Sequence, residues 1–222
     1  MASSTRPADA DPPGIRPAVT TAARRHAVSH ARAGATRDRI LDAFARTLVE
    51  QGERAATLDA VAAAAQVSKG GLLYHFGSKM ALVDGLLARM VELALADVAV
   101  MRAAPEGAVA YLIRTSAISD TPFDLDYLAA TRLAEGPFPQ ARVALTKAHE
   151  AWLAATVEAV GDPVLARAIV LVSDGLYLEA ATRRGPRTPA PTPDGPQERP
   201  TSPAGAAELV ALLESVIASR RA

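Results

Sequence analysis

The chain has 222 residues, with 24 Lys and Arg against 24 Asp and Glu; half of its residues are hydrophobic and 4% are aromatic. It contains no cysteine, which excludes disulfides, thiolate metal sites, iron–sulfur clusters and a cysteine nucleophile. No apolar stretch approaches the ~20 residues of a membrane span, and Met1 to Asp11 carries two acids and no apolar core, so the expectation is a cytoplasmic protein with no membrane partner. The even charge hides an asymmetry. Residues 1–90 hold 12 basic and 8 acidic side chains, residues 91–222 hold 12 and 16. Six arginines and one acid lie between Arg16 and Arg39, a composition that suits a polyanionic partner or a solvated tail.

In chain order, residues 1–35 show no sustained apolar period and read as a disordered basic arm, with at most a frayed helix near Thr21 to Ala33. Thr36 then caps a first amphipathic helix, in which Ile40, Leu41, Phe44, Ala45, Leu48 and Val49 recur at helical spacing up to Gly52. Thr57 caps a short second helix, Ser68 a third that runs to about His75, and Ser78 a long fourth that ends before Pro105. Leu82, Leu86, Met90, Leu93 and Asp97 or Val98 trace one face of that fourth helix. Further helices are predicted at about 106–119, 123–135, 138–160 and 163–183, punctuated by Pro and Gly. Seven prolines between Gly185 and Pro203 mark a flexible loop, and a last amphipathic helix follows at about 204–220. Nothing alternates with period two. The fold class is all-α: a three-helix head with a helix-turn-helix over 36–80, then a larger helical bundle over 81–222 for ligand binding and dimerisation, interrupted by the Pro-rich loop 185–203.

Two short capped helices across a tight turn, from Thr57 to Lys79, are the helix-turn-helix arrangement. Two adjacent glycines inside a short helix, Gly70 and Gly71, cost ~1 kcal/mol each in helix propensity relative to Ala. Close approach of the backbone to a duplex is one reason for them, helped by the free N–H groups from Ser68 to Gly71; a loosened turn is the other. Spacing on the third helix turns Lys69 and Tyr74 outward and Leu72 and Phe76 inward, so Tyr74 and His75 can reach phosphates. The segment VSKGGLLYHFGSKMALV, after a Thr-capped helix and an amphipathic first helix, resembles the DNA-binding head of the tetracycline-repressor (TetR) family. Val67, Ser68, Gly70, Leu72, His75, Phe76 and Lys79 carry the likeness, which covers about residues 36–85. The resemblance implies that Thr57 and Lys79 grip the DNA backbone and that Lys69, Gly70 and Tyr74 lie at the groove. Two positions depart from the family pattern: Leu73 stands where a Tyr usually contacts phosphate, and Gln66 where the turn commonly has Gly. A left-handed Gln66 would carry ~1 kcal/mol of strain.

Past residue 101 the likeness is one of helix count and order, so the bundle is read from misplaced polar side chains. Arg114, His149 and Asp174 each share an apolar helix face, and such groups must be paired, at an interface or in a pocket. One reading is a buried bridge from Arg114 to Asp174 or hydrogen bonds at a dimer interface; the other is an effector pocket lined by these three with Tyr111, Phe123, Tyr127, Trp152 and Tyr177. Gly-x-Ser-x-Gly is absent, and of the four histidines two, His26 and His30, lie in the basic arm, so no enzyme, cofactor or metal site is expected. The function expected is a homodimeric, ligand-responsive transcriptional repressor. It binds an inverted-repeat operator in double-stranded DNA, answers an unknown small-molecule effector, and dimerises through the helices near 163–183 and 204–220, where Leu213→Arg should give monomers. The alternative is a helical ligand-binding or protein-interaction module with a degenerate head.

Overall fold

Three hydroxyl side chains set the starts of three successive helices. Thr57 Oγ1 accepts the Ala60 amide at 3.2 Å, Ser68 Oγ the Gly71 amide at 3.0 Å, and Ser78 Oγ the Ala81 amide at 3.1 Å. Each side chain satisfies an amide that the first turn of a helix leaves without an intrahelical partner. The computed structural model describes residues 21–117, 121–183 and 205–221. Among them the order is α1 (Thr21–Gln51), α2 (Leu58–Ala64), α3 (Lys69–His75), α4 (Lys79–Ala103), α5 (Ala108–Ser116), α6 (Pro122–Ala134), α7 (Pro139–Val160), α8 (Pro163–Arg183) and α9 (Ala206–Arg221), with no strand. The loop expected at 185–203 lies outside the described residues.

The N-terminal expectation needs correction. Thr36 does not open a helix; α1 begins at Thr21 and is already helical through 21–35, because that stretch is rich in Ala and Arg and free of proline, and summed propensity favours helix. The described residues up to Asp38 form one compact unit and those from Arg39 onward another. No division falls at residue 80, where head and bundle were expected to part. The reason is a single apolar cluster that passes from Phe44, Leu48, Val61 and Leu72 of the three-helix head into Leu86 and Met90 of α4, Leu133 of α6 and Ala148 of α7. Each large side chain in it contributes about 1.5–3 kcal/mol on burial. A second cluster packs Met101 of α4 with Ile113 of α5, Val160 of α7, Ile169 of α8 and Leu213 of α9.

Local signals end and start the bundle helices as well. Thr121 and Asp124 form a reciprocal capping box at the start of α6, with Pro122 in the first turn. Gly161 ends α7 at φ 80°, a conformation that favours glycine. On α8, Val164, Leu171 and Leu178 recur every seven residues and stay 73%, 56% and 64% exposed. They form an apolar stripe that the protomer leaves uncovered, and Leu212 of α9 is also exposed. Leu213, in contrast, is only 9% exposed, so Leu213→Arg would disturb the protomer's own core rather than report on a dimer.

Candidate nucleic-acid interface and effector cavity

The turn between α2 and α3 is tight enough to force one residue into the left-handed region, and Gln66 takes it at φ 55°. Val67 then returns its amide to the Ala62 carbonyl at 3.0 Å and Ser68 starts α3. With Leu72 fully buried and Phe76 nearly so, α3 is anchored by its inner face. Its outer face presents Lys69 and Tyr74, and Tyr74 is 84% exposed with its ring edge-on to His75 at 5.2 Å. Leu73 is exposed too, without a hydroxyl to offer. Nothing lies within 4 Å of where a Cβ on Gly70 would stand, whereas one on Gly71 would meet Ser68 Oγ at 3.2 Å. Gly71 thus has an internal reason, the close fold of the Ser68 cap, and Gly70 has none.

Two cations in this region have partners of their own. Lys69 Nζ lies 3.0 Å from the Asp59 carboxylate, an exposed pair that contributes little to stability. Lys79 Nζ donates to the Glu53 carbonyl at 2.8 Å and to Glu53 Oε1 at 2.6 Å. The first residue of α4 is therefore tied to the loop after α1.

Farther along α4 the bundle encloses a cavity of about 300 Å³. Asp97 of α4 and Tyr111 of α5 form one side, Trp152 of α7 another; Phe123 and Tyr127 come from α6, Asp174 and Tyr177 from α8. Small hydroxyls, Thr115, Ser116 and Ser173, fill in between, and Ser116 Oγ lies 2.7 Å from Ser173 Oγ. The rings meet edge to face: Phe123 with Trp152 at 5.4 Å, Tyr127 with Tyr177 at 5.5 Å. Asp97 receives two hydrogen bonds, from the Tyr111 hydroxyl at 2.7 Å and the Trp152 indole N–H at 2.8 Å. Burial, then the Asp97 bond, pushes the Tyr111 phenol up to about 12, so it remains a donor at neutral pH. Burial also raises Tyr127 and Asp174 above their ordinary values, the second opposed by the charges of His149 and Arg167.

Residues 40–86 match the family described as bacterial regulatory proteins, tetR family. Over those residues the chain is similar to the DNA-binding head of that family. α2 and α3 supply the helix-turn-helix of that likeness. Two HTH-type transcriptional regulators of Pseudomonas putida, SrpR and the uncharacterized TtgW, are each 41% identical to this chain over 58 residues, 26% of its length. That segment spans 27% of SrpR and 43% of TtgW, so it speaks for the head alone. Over the whole fold, the chain is similar to the multidrug binding protein EbrR, solved in complex with imidazole, at 25% identity and a TM-score of 0.53, with 80% of this chain and 93% of that one covered.

Of the eight bundle residues singled out by sequence, Tyr111, Phe123, Tyr127, Trp152, Asp174 and Tyr177 line one cavity. Arg114 and His149 do not. Arg114 lies on the exposed side of α5, bonded to Glu106 with its Cζ 5.6 Å from the Tyr111 ring centre, so the expected bridge to Asp174 does not form. His149 Nδ1 stands 3.8 Å from Asp174 Oδ2 instead. The reason is reach: Glu106 precedes α5 and is local to Arg114, whereas Asp174 belongs to another helix. Sequence reasoning missed the polar wall residues Asp97 and Asp124. The available signals were a carboxylate on the apolar stripe of α4 and the Thr-x-x-Asp capping pattern at residue 121.

One further group links the two regions. Arg89 of α4 donates from Nε and Nη2 to both carboxylate oxygens of Asp126 on α6, at 2.8 and 2.7 Å, and its Nη1 lies 2.9 Å from Asp42 of α1. Burial acts to lower the Arg89 pKa, but its bonds and attraction to Asp126 and Asp42 outweigh that and leave it raised. Asp126 is fully buried, one turn after the cavity residue Phe123 and next to Tyr127.

Proposed function

We propose that this protein is a cytoplasmic, homodimeric repressor that binds an inverted-repeat operator and releases it when a small molecule occupies the cavity. The observation that carries the reading is that α4 follows directly on the outward-facing α3, is clamped at Lys79 to Glu53, and reaches at Asp97 the wall of the cavity. Two recognition helices related by a twofold axis must enter successive major grooves roughly 34 Å apart. Thr57, Ser68, Lys69, Gly70, Gly71, Tyr74, His75 and Lys79 are the residues assigned to the duplex, with Tyr74 foremost because it is the most exposed large side chain of α3. The Thr57 hydroxyl keeps its proton for a phosphate after its oxygen has accepted the Ala60 amide. The arginine-rich segment 16–39 adds a salt-dependent contact beside the operator.

The dimer forms through α8 and α9, supported by the Val164, Leu171 and Leu178 stripe, whose exposure in the protomer asks for a cover. The effector reading draws support from EbrR, a multidrug binding protein of similar fold. An effector shifts the equilibrium only if it binds the non-DNA state more tightly. α4 touches both ends, and Arg89 joins it to α1 and α6.

The test is a mobility-shift titration on the duplex upstream of the protein's own coding region, over a salt series. Binding should weaken steeply with salt, and a Leu171→Arg, Leu178→Arg double variant should be a folded monomer that no longer shifts the duplex. A wild-type protein that runs as a monomer at micromolar concentration and ignores the duplex would overturn the reading.

A further inference from the structure

The chain is poor in aromatic residues, with one Trp, four Tyr and four Phe, yet five of these nine wall a single cavity. Three carboxylates, Asp97, Asp124 and Asp174, share that wall, and among the described residues no Lys or Arg does. Asp124 serves the α6 cap, accepting the Thr121 amide at 2.7 Å. Asp174 is half exposed and has His149 beside it. Asp97 is different, because the donors shown on its two oxygens are a phenol and an indole. Neutral donors orient a carboxylate without cancelling its charge. Arg114 lies across the Tyr111 ring and is itself engaged by Glu106.

A negative charge held at the wall of a small, ring-lined cavity attracts a cation more strongly than the same charge in water, because the local dielectric is low. Ring faces add to that attraction. The near-perpendicular pairs Phe123 with Trp152 and Tyr127 with Tyr177, at 80° and 83°, form corners that offer a face from two directions. An anion would meet Asp97 unscreened, and a neutral guest would forgo the charge attraction.

We infer that the cavity selects an organic monocation with a flat aromatic or bulky apolar body, its charge directed to Asp97. This rests on the reading of the cavity as the effector site and names the ligand class for it. The volume of about 300 Å³ suits a two-ring molecule.

Three biaryls of nearly equal shape provide the test on the full chain: 1-methyl-4-phenylpyridinium as the cation, 4-methylbiphenyl as the neutral form and biphenyl-4-carboxylate as the anion. Affinity is read by Trp152 emission and by calorimetry. The cation should bind at least about tenfold tighter than the neutral form, with the anion weakest. In Asp97→Asn, which keeps the shape and one acceptor, that gap should shrink to less than about threefold while the neutral form binds as before. Wild-type protein that binds the neutral or anionic form as tightly as the cation overturns the inference and leaves the effector site standing, as does a tenfold gap that survives in Asp97→Asn. Binding by none of the three overturns the inference and the effector reading together. Should Asp97→Asn lose its helical circular dichroism, the order of the three in wild-type protein decides alone.

Discussion

In the head, side chains are set by neighbours a few positions away: Thr57 by Ala60, Ser68 by Gly71, Ser78 by Ala81. In the cavity, Asp97 is set by Tyr111 and Trp152, which lie 14 and 55 positions along the chain. A locally built surface tolerates change one residue at a time, whereas a wall drawn from five helices depends on how those helices pack. The difference teaches where substitutions should be felt: binding and stability should change independently of each other in the head, and the two should change together near the cavity.

The largest effect is expected at the tie between them. Arg89→Ala leaves the fully buried Asp126 without its bidentate partner, and loss of one member of a buried pair costs about 3–5 kcal/mol. Denaturant unfolding should show that loss, and an Arg89→Met, Asp126→Leu double variant should recover much of it. A single variant as stable as wild type would mean that α4 and α6 do not depend on each other through this pair.

Gly70→Ala sharpens the contrast within the head. Open space around its Cβ position predicts a stability gain of up to ~1 kcal/mol from helix propensity, together with operator affinity reduced tenfold or more as the methyl group meets the duplex. Unchanged affinity in a shift assay would make Gly70 a loosener of the turn. Gln66→Gly should raise the midpoint of thermal unfolding slightly, by relief of up to ~1 kcal/mol of left-handed strain, with operator binding unaltered.

The smallest effect concerns pH. Burial raises the Asp174 carboxyl above its ordinary value, so the folded chain holds that proton more readily than the unfolded chain. This contribution to stability is present below the unfolded value and is lost as pH rises through the folded one. Asp174→Asn should therefore be no less stable than wild type at neutral pH, and its melting temperature should vary less between mildly acidic and neutral pH. A variant clearly weaker at neutral pH would show that the His149 contact outweighs burial.

The same contrast explains what the sequence made legible. Hydroxyl caps, the glycine pair and the Leu72 and Phe76 spacing are local patterns, so α2, α3 and the start of α4 could be read directly. Helical period also flagged Tyr111, Trp152, Asp174 and Tyr177 as polar or aromatic groups on buried faces, and these do line one cavity. Period says which face a residue occupies and nothing of its partner, which is why the sequence leaves a bridge from Arg114 to Asp174 open although Arg114 bonds Glu106, and why it does not reveal Arg89, whose partner Asp126 is 37 positions away. The start of α1 was misplaced because the amphipathic pattern begins only at Ile40, while helix propensity alone carries the chain from Thr21.

α4 can also be considered as a mechanical part. Eighteen residues separate Lys79, clamped to Glu53, from Asp97 at the cavity, and at 1.5 Å per residue that is a rod of about 27 Å. If the rod tilts about its cavity end by about 5°, its clamped end travels about 2 Å by the same geometry. Two protomers related by a twofold axis would double the change in separation of their heads. A displacement too small to disturb the packing around Trp152 is thus enough to carry a pair of helices out of step with the pitch of a duplex.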